Sequence, residues 1–368
     1  MLQLFLSLLM ISGIAALLAL LLELADSYIA DYGESHILIN EEKDILVQGG
    51  NPLLATLMEQ RIFIPSACGG KGTCALCKLK IHEGGGPVLP TETPYLSQQE
   101  LADQVRLSCQ VKVKSDLKIE IPEELFLVKE FEVVVERMET LTPDNRGLRL
   151  KILRPEEGIR FKSGQYVQLQ IPRYELTKGP EFRAYSIASS SHEHDAVELV
   201  ITKVPEGAVS TYVHDYLKEG DRLTIIGPYG DFYLRDSDRD ILLIATGSGL
   251  APVKSILYQL EYEKCRKKIT LFFGDKKRPD LLYYEELTEM AARMSNFTYT
   301  PTLSRTNEEE PWDGERGRVT SLIEKYIPDE APIDVYICGV PAMVESCVEL
   351  LQGKGIPEER IFYDKFTS

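Results

Sequence analysis

The sequence predicts a multidomain chain: a transmembrane helix at the N-terminus, a small α+β domain, an antiparallel β-barrel, and a doubly wound α/β domain. Three observations predict this order. Residues 1–22 carry no charged side chain. Four cysteines follow in the spacing C-x5-C-x2-C, then 31 residues, then C. Beyond residue 130, short alternating strands give way to continuous apolar strands separated by helical segments.

Leu4 to Leu22 is a run of 19 mostly apolar residues, about 28 Å long as a helix and close to a ~30 Å hydrocarbon core. A cleaved signal peptide is the competing reading, but no Lys or Arg precedes the run. Residues 1–25 are therefore expected to be an uncleaved single-pass anchor in the inner membrane, with the body in the cytoplasm.

Residues 34–122 read as the α+β domain. His36 to Asn40 and Asp44 to Gln48 alternate as strands, and a helix runs from Asn51-Pro52 to Gln60. Lys78 to Ile81, Val111 to Val113 and Leu117 to Ile121 are further strands. Ser97 with Glu100 reads as a capping box. Between the elements lies Cys68-Gly-Gly-Lys-Gly-Thr-Cys74-Ala-Leu-Cys77, with Cys109 as the fourth thiol. Four thiolates so spaced can hold two irons bridged by sulfide, a [2Fe–2S] cluster, and the glycines allow backbone N–H groups to approach the sulfurs. Zinc is the alternative, although a zinc ribbon carries two C-x2-C pairs and only one is present.

Residues 130–235 alternate as short strands, which predicts the barrel. Its Arg183-Ala-Tyr185-Ser186 offers a guanidinium fork for a pyrophosphate, a flat ring for an isoalloxazine, and a hydroxyl for the flavin ring. Gly207, Ser210 and Thr211 open a helix whose N-terminus would take a phosphate. Residues 238–368 carry the α/β pattern. Thr246, Gly247, Gly249 and Pro252 form a Gly-rich turn between a buried strand and a helix, where a dinucleotide pyrophosphate can approach the backbone. Cys338 and Gly339 end another strand, where a lone Cys is ordinarily core.

The net charge of −16 argues against a nucleic-acid partner. Cys265, Cys338 and Cys347 form no disulfide framework, which suits a reducing compartment.

These motifs resemble the ferredoxin–NADP reductase superfamily, in which R-x-Y-S binds FAD and the Gly-rich turn binds a nicotinamide nucleotide. Residues 34–122 resemble the β-grasp ferredoxins. The resemblance implies a place for Ser186 and Cys338 at the flavin and nicotinamide rings. It also implies a terminal aromatic, Phe366, stacked on the flavin; a core anchor is the other reading of that residue. Ser304-Arg305 lies where some relatives bind an NADPH 2′-phosphate, and NADH-using relatives carry similar pairs.

The order anchor, cluster, flavin, nucleotide resembles the family of F subunits of sodium-translocating NADH:quinone oxidoreductases over nearly the whole chain. Gly-Gly-Gly-Pro-Val-Leu-Pro-Thr-Glu, Leu-Ser-Cys-Gln-Val and Ile-Pro-Glu-Glu-Leu-Phe carry that resemblance. The stretch Pro172 to Phe182 departs from it, because the family has a longer insertion there. The implied activity is hydride transfer from NADH to FAD, then single electrons to the cluster and to integral membrane subunits of a redox complex. The reductase component of a mono- or dioxygenase, or a non-catalytic electron-transfer subunit, are the alternatives.

Overall fold

The computed structural model describes residues 10–19, 32–305 and 311–366. Residues 10–19 are helical and exposed; the rest of the expected anchor lies outside the described residues. Among the described residues no helix is long and apolar enough to cross a membrane. The chain divides into two units, Met1–Leu127 and Val128–Ser368.

In the first unit, β1 (Glu34–Ile39) and β2 (Lys43–Gln48) pair antiparallel, followed by α1 (Leu53–Glu59), β3 (Lys78–Glu83), α2 (Gln98–Ala102), β4 (Val105–Leu107) and β5 (Leu117–Glu120). The sheet order is β2-β1-β5-β3-β4, with β1 and β5 parallel. Alternation in β1 buries Ile37 and Ile39 against Leu53 and Leu57 of α1. The Ser97–Glu100 capping box forms as its spacing predicts. Val111 to Val113 is not a strand. Its backbone bonds go to Gly50, Asn51 and Leu53 at the start of α1, and Pro52, bridged to Lys112, has no N–H with which to extend a ladder.

The second unit begins with six antiparallel strands: β6 (Lys129–Thr142), β7 (Asn145–Arg154), β8 (Tyr166–Ile171), β9 (Glu181–Ser186), β10 (Ala196–Thr202) and β11 (Arg222–Tyr229). They lie in the order β10-β7-β6-β11-β8-β9. The edge strands meet only through an isolated bridge, Ile187 to Leu199, so the expected barrel is a half-closed one. α3 (Ala208–Asp215) follows β10.

A parallel sheet completes the unit: β12 (Asp240–Thr246), α4 (Leu250–Tyr262), β13 (Ile269–Asp275), α5 (Tyr284–Arg293), β14 (Phe297–Leu303), β15 (Glu315–Arg316), α6 (Val319–Tyr326), β16 (Ile333–Gly339), α7 (Pro341–Gly353) and β17 (Ile361–Lys365). The order β15-β14-β13-β12-β16-β17 makes the point between β12 and β16 a switch, where chain direction across the sheet reverses. Ile241 to Ala245 are buried throughout, as a strand covered on both faces requires. β17 was not expected from the sequence; it adds to the edge by pairing with β16.

α4 ties the two halves of this unit together. Lys254 is 2% exposed, with its Nζ 3.2 Å from Glu198 Oε2 on β10 and 3.7 Å from Glu286 Oε1 on α5. The ammonium also lies over the Tyr283 ring at 4.1 Å. Next to it, Ser255 Oγ donates to the Ser189 carbonyl at 2.7 Å.

Candidate functional site

The four expected thiols come together in the first unit as two pairs. Cys74 Sγ lies 3.4 Å from Cys68 Sγ, and Cys77 is hydrogen-bonded to Cys109. In each pair the shared hydrogen bond favours one thiolate. Cys68 is pulled down to about 3 by Cys74, and Cys109 to about 7 by Cys77. Cys77 and Cys109 are buried, while Cys68 and Cys74 are partly exposed. Among the described residues no three His, Cys, Asp or Glu converge on a single metal-ion point. The two pairs fit a binuclear cluster, whose two irons need two sulfurs each. Gly69, Gly70 and Gly72 take positive φ in the loop that joins Cys68 to Cys74 within the first pair.

Behind Cys109 lies a clamp that was not expected from the sequence. Arg106 and Glu92 form a bidentate ion pair, Nε to Oε1 at 3.0 Å and Nη2 to Oε2 at 2.6 Å, with side chains 6% and 0% exposed. Arg106 also donates to the carbonyls of Gly85, Gly86 and Pro87. Glu92 accepts from the amides of Leu89 and Leu107. The Gly84–Glu92 stretch is thereby fastened to the strand that delivers Cys109, and Ser108 N donates to the Cys77 carbonyl at 2.9 Å. The 14-residue separation of Glu92 and Arg106 follows no helix or strand period, so no local pattern announces the pair.

In the second unit Arg183, Tyr185 and Ser186 lie on β9, with Ser186 opposite Tyr166 of β8. The Arg183 guanidinium donates to the Phe182 carbonyl at 2.7 Å and sits 3.4 Å from Glu181. Gly207 caps α3. Ser210 is spent inside this turn: its hydroxyl accepts from Val204 N at 3.1 Å and donates to the Gly207 carbonyl at 3.1 Å. Thr211 N donates to the Gly207 carbonyl at 2.8 Å, closing the first turn of α3. Its free first amides and Arg183 fit a pyrophosphate.

The nucleotide turn lies at the switch of the parallel sheet. Ala245 of β12 is in register with Cys338 of β16. Gly249 is required by close approach, because a Cβ there would meet the Cys338 carbonyl oxygen at 2.4 Å. Gly247 has φ +54 and open space where a Cβ would point. Thr246 Oγ1 is buried without a hydrogen-bond partner, an orphan that a bound nucleotide can satisfy. Pro252 is buried in the first turn of α4. Cys338 is fully buried in the core cluster, and burial pushes its thiol well above the usual range. Phe366 returns to the same place: its N donates to the Gly339 carbonyl at 2.9 Å and its ring packs on the cluster containing Cys338.

Asp275, at the end of β13, was not anticipated either. Its carboxylate accepts from the Gly247 amide of the nucleotide turn, and burial pushes it up to about 6. Arg305 N donates to the Lys276 carbonyl at 2.9 Å, so Lys276 joins the expected Ser304-Arg305 pair at this edge.

The fold and these sites define an iron–sulfur flavoprotein reductase. Three family models match in chain order: the 2Fe-2S iron-sulfur cluster binding domain over residues 37–114, the oxidoreductase FAD-binding domain over 132–233, and the oxidoreductase NAD-binding domain over 243–349. The cofactors are thus a [2Fe–2S] cluster, FAD and a nicotinamide dinucleotide.

The chain belongs to the family of F subunits of Na(+)-translocating NADH-quinone reductases. It is 34% identical to the F subunit of Neisseria gonorrhoeae over 99% of both chains, and 33% identical to that of Methylococcus capsulatus over the full length of both. The Neisseria alignment runs over 408 positions against 368 residues here, so the relative carries segments this chain lacks. Among solved structures, the Amycolatopsis cytochrome P450 reductase is similar with a TM-score of 0.73 at 26% identity, covering 91% of this chain and 99% of that one. The ferredoxin reductase of carbazole 1,9a-dioxygenase shares the fold, with a TM-score of 0.70 at 24% identity and coverage of 91% and 99%.

Proposed function

We propose that the chain is the membrane-anchored NADH dehydrogenase subunit of a redox complex, moving electrons from NADH through FAD to the [2Fe–2S] cluster and on to integral membrane subunits. The observation that carries this reading is the co-occurrence of the two cysteine pairs, the β9 site and the switch-point turn in a chain that aligns over 99% of its length with a Na(+)-translocating NADH-quinone reductase relative. The anchor is placed within residues 1–25, of which residues 10–19 are described and helical. Its support is the exposed apolar surface of Met10, Ile11, Ile14, Leu17 and Leu18, which water would not favour.

FAD, when bound, accepts a hydride and releases electrons singly, which is the chemistry the cofactor supplies. The chain's own residues bind and orient. Arg183 and the N-terminus of α3, capped by Gly207 and closed by Ser210 and Thr211, hold the flavin pyrophosphate. Tyr185 and Ser186 face the flavin ring. Thr246, Gly247, Gly249 and Pro252 receive the NADH pyrophosphate. Cys338 and Gly339 would border the nicotinamide, and Phe366, bonded to Gly339, would lie over the flavin and have to give way to the nicotinamide. Cys68 with Cys74, and Cys77 with Cys109, each hold one iron.

A second reading, the reductase component of an oxygenase, is favoured by the likeness to the Amycolatopsis P450 reductase over 99% of that chain. The two readings part at the acceptor, a membrane subunit in one and a soluble oxygenase in the other.

Rapid mixing of NADH with the full-length protein tests the order. The flavin absorbance should bleach first and the cluster absorbance second. Cys77→Ala should keep the first phase and lose reduction of a one-electron protein acceptor. Loss of flavin bleaching in a variant that retains FAD would overturn the order.

A further inference from the structure

The two phrases Gly-Gly-Gly-Pro-Val-Leu-Pro-Thr-Glu and Leu-Ser-Cys-Gln-Val meet in space, at a contact the cluster ligands alone do not explain. Gln110 Nε2 lies 3.5 Å from Cys109 Sγ. Thr91 Oγ1 donates to Gln110 Oε1 at 2.9 Å. With its oxygen so engaged, the amide turns its NH2 group to the sulfur. Space for that amide comes from Gly72, where a Cβ would stand 2.6 Å from Gln110 Nε2.

We propose that Gln110, braced by Thr91, is the donor that sets the reduction potential of the cluster through the Cys109 sulfur. A one-electron reduction adds negative charge that the ligating sulfurs share. An N–H aimed at one of those sulfurs stabilises the reduced state more than the oxidised one, and so raises the potential.

The support of this contact is rigid at both ends. Thr91 precedes Glu92, whose carboxylate is fully buried and takes four hydrogen bonds. One of the four comes from Leu107 N, two residues before Cys109. The same carboxylate therefore fixes both the brace and the ligand. A donor so held does not have to reorient when the cluster changes charge. Thr91 is a positioning residue, since it reaches the sulfur only through Gln110.

The inference rests on the cluster assignment and not on the NADH reading. Its test is accordingly a chemical redox titration of the full-length protein, followed by the electron paramagnetic resonance signal of the reduced cluster, with no nucleotide added. Gln110→Leu should lower the reduced-to-oxidised ratio at a fixed potential about tenfold, equal to ~59 mV for one electron. Gln110→Glu should lower it further, because a carboxylate faces the sulfur. Thr91→Val touches no sulfur and should shift the midpoint in the same direction by less. A Gln110→Leu protein that keeps its cluster and the parental midpoint overturns the proposal. If Gln110→Leu loses the cluster, Thr91→Val decides: a lowered midpoint supports the brace, and an unshifted one overturns it.

Discussion

Glu92 in the first unit and Asp275 in the second are both carboxylates withdrawn from water, yet they titrate in opposite directions. Burial opposes the charge of Glu92, but the Arg106 guanidinium and the Leu89 and Leu107 amides outweigh it and hold the carboxyl below its ordinary range. Burial opposes the charge of Asp275 too. There Asp280 adds to it, and the Lys276 and Gly247 amides do not compensate. The difference is one of supply. Glu92 has a buried cation bonded to it, whereas Asp275 has two loop amides and the charge of the exposed Lys276, which together do not offset its burial. A fully supplied carboxylate is a fastening; an undersupplied one at a strand end marks a place that trades stability for a ligand.

The comparison breaks most sharply at Arg106. Arg106→Leu leaves Glu92 buried without its cation, which should cost about 3–5 kcal/mol. The loss should be confined to the first unit: the cluster absorbance should melt at lower temperature while the flavin signal keeps its transition. The pH dependence has a definite sign. Glu92 ionises more readily in the folded chain than in the unfolded one. Its contribution is therefore full above the ordinary carboxylate value near 4.5 and is lost as pH falls through the lowered folded value. The gap between parent and variant should narrow in acid. An equal fall in both transitions would mean that the clamp is not local.

Lys254 is the buried cation of the second unit, and its carboxylates are less dependent on it. Glu198 is 20% exposed and keeps Arg149 at 3.5 Å. Lys254→Met retains the stem that packs α4 and removes the charge. It should therefore cost less than Arg106→Leu, about 1–2 kcal/mol, because the carboxylates it leaves keep water or a second cation. Urea unfolding of the second unit measures it, and a loss as large as that of Arg106→Leu would erase the distinction.

Cysteine spacing and the change of hydrophobic period made most of this architecture legible. Both signals are local: C-x5-C-x2-C lies within ten residues, and β12 is an unbroken apolar run. The capping box at Ser97 was legible for the same reason. What escaped was set by contacts distant in sequence. Glu92 finds Arg106, Thr91 finds Gln110 across 19 residues, and Lys254 finds Glu198 across 56. β17 escaped because its residues IFYDK alternate weakly and depend on β16 for pairing. Ser210 shows a different limit of local reading. Its position in the turn was legible, but the hydroxyl serves the turn itself.

Asp275→Asn probes the weaker half of the comparison and should act in the opposite direction, with an effect no larger than that of Lys254→Met. The folded protein holds the Asp275 proton more tightly than the unfolded chain, with a value of about 6 against an ordinary 3.8. Stability therefore falls as pH rises from about 4 through 6, and the whole penalty is present at neutral pH. Asparagine keeps an oxygen for the Gly247 and Lys276 amides without the charge. At ~1.4 kcal/mol for each tenfold change in proton affinity, discounted for partial exposure, the variant should gain about 1–2 kcal/mol at pH 8. It should gain nothing at pH 4, where the parent is already protonated. Trp312, the single tryptophan, packs in the hydrophobic cluster of this half of the chain. Its fluorescence during urea unfolding at the two pH values therefore reads the right region. An equal gain at both would place the effect in packing and remove Asp275 from the contrast with Glu92.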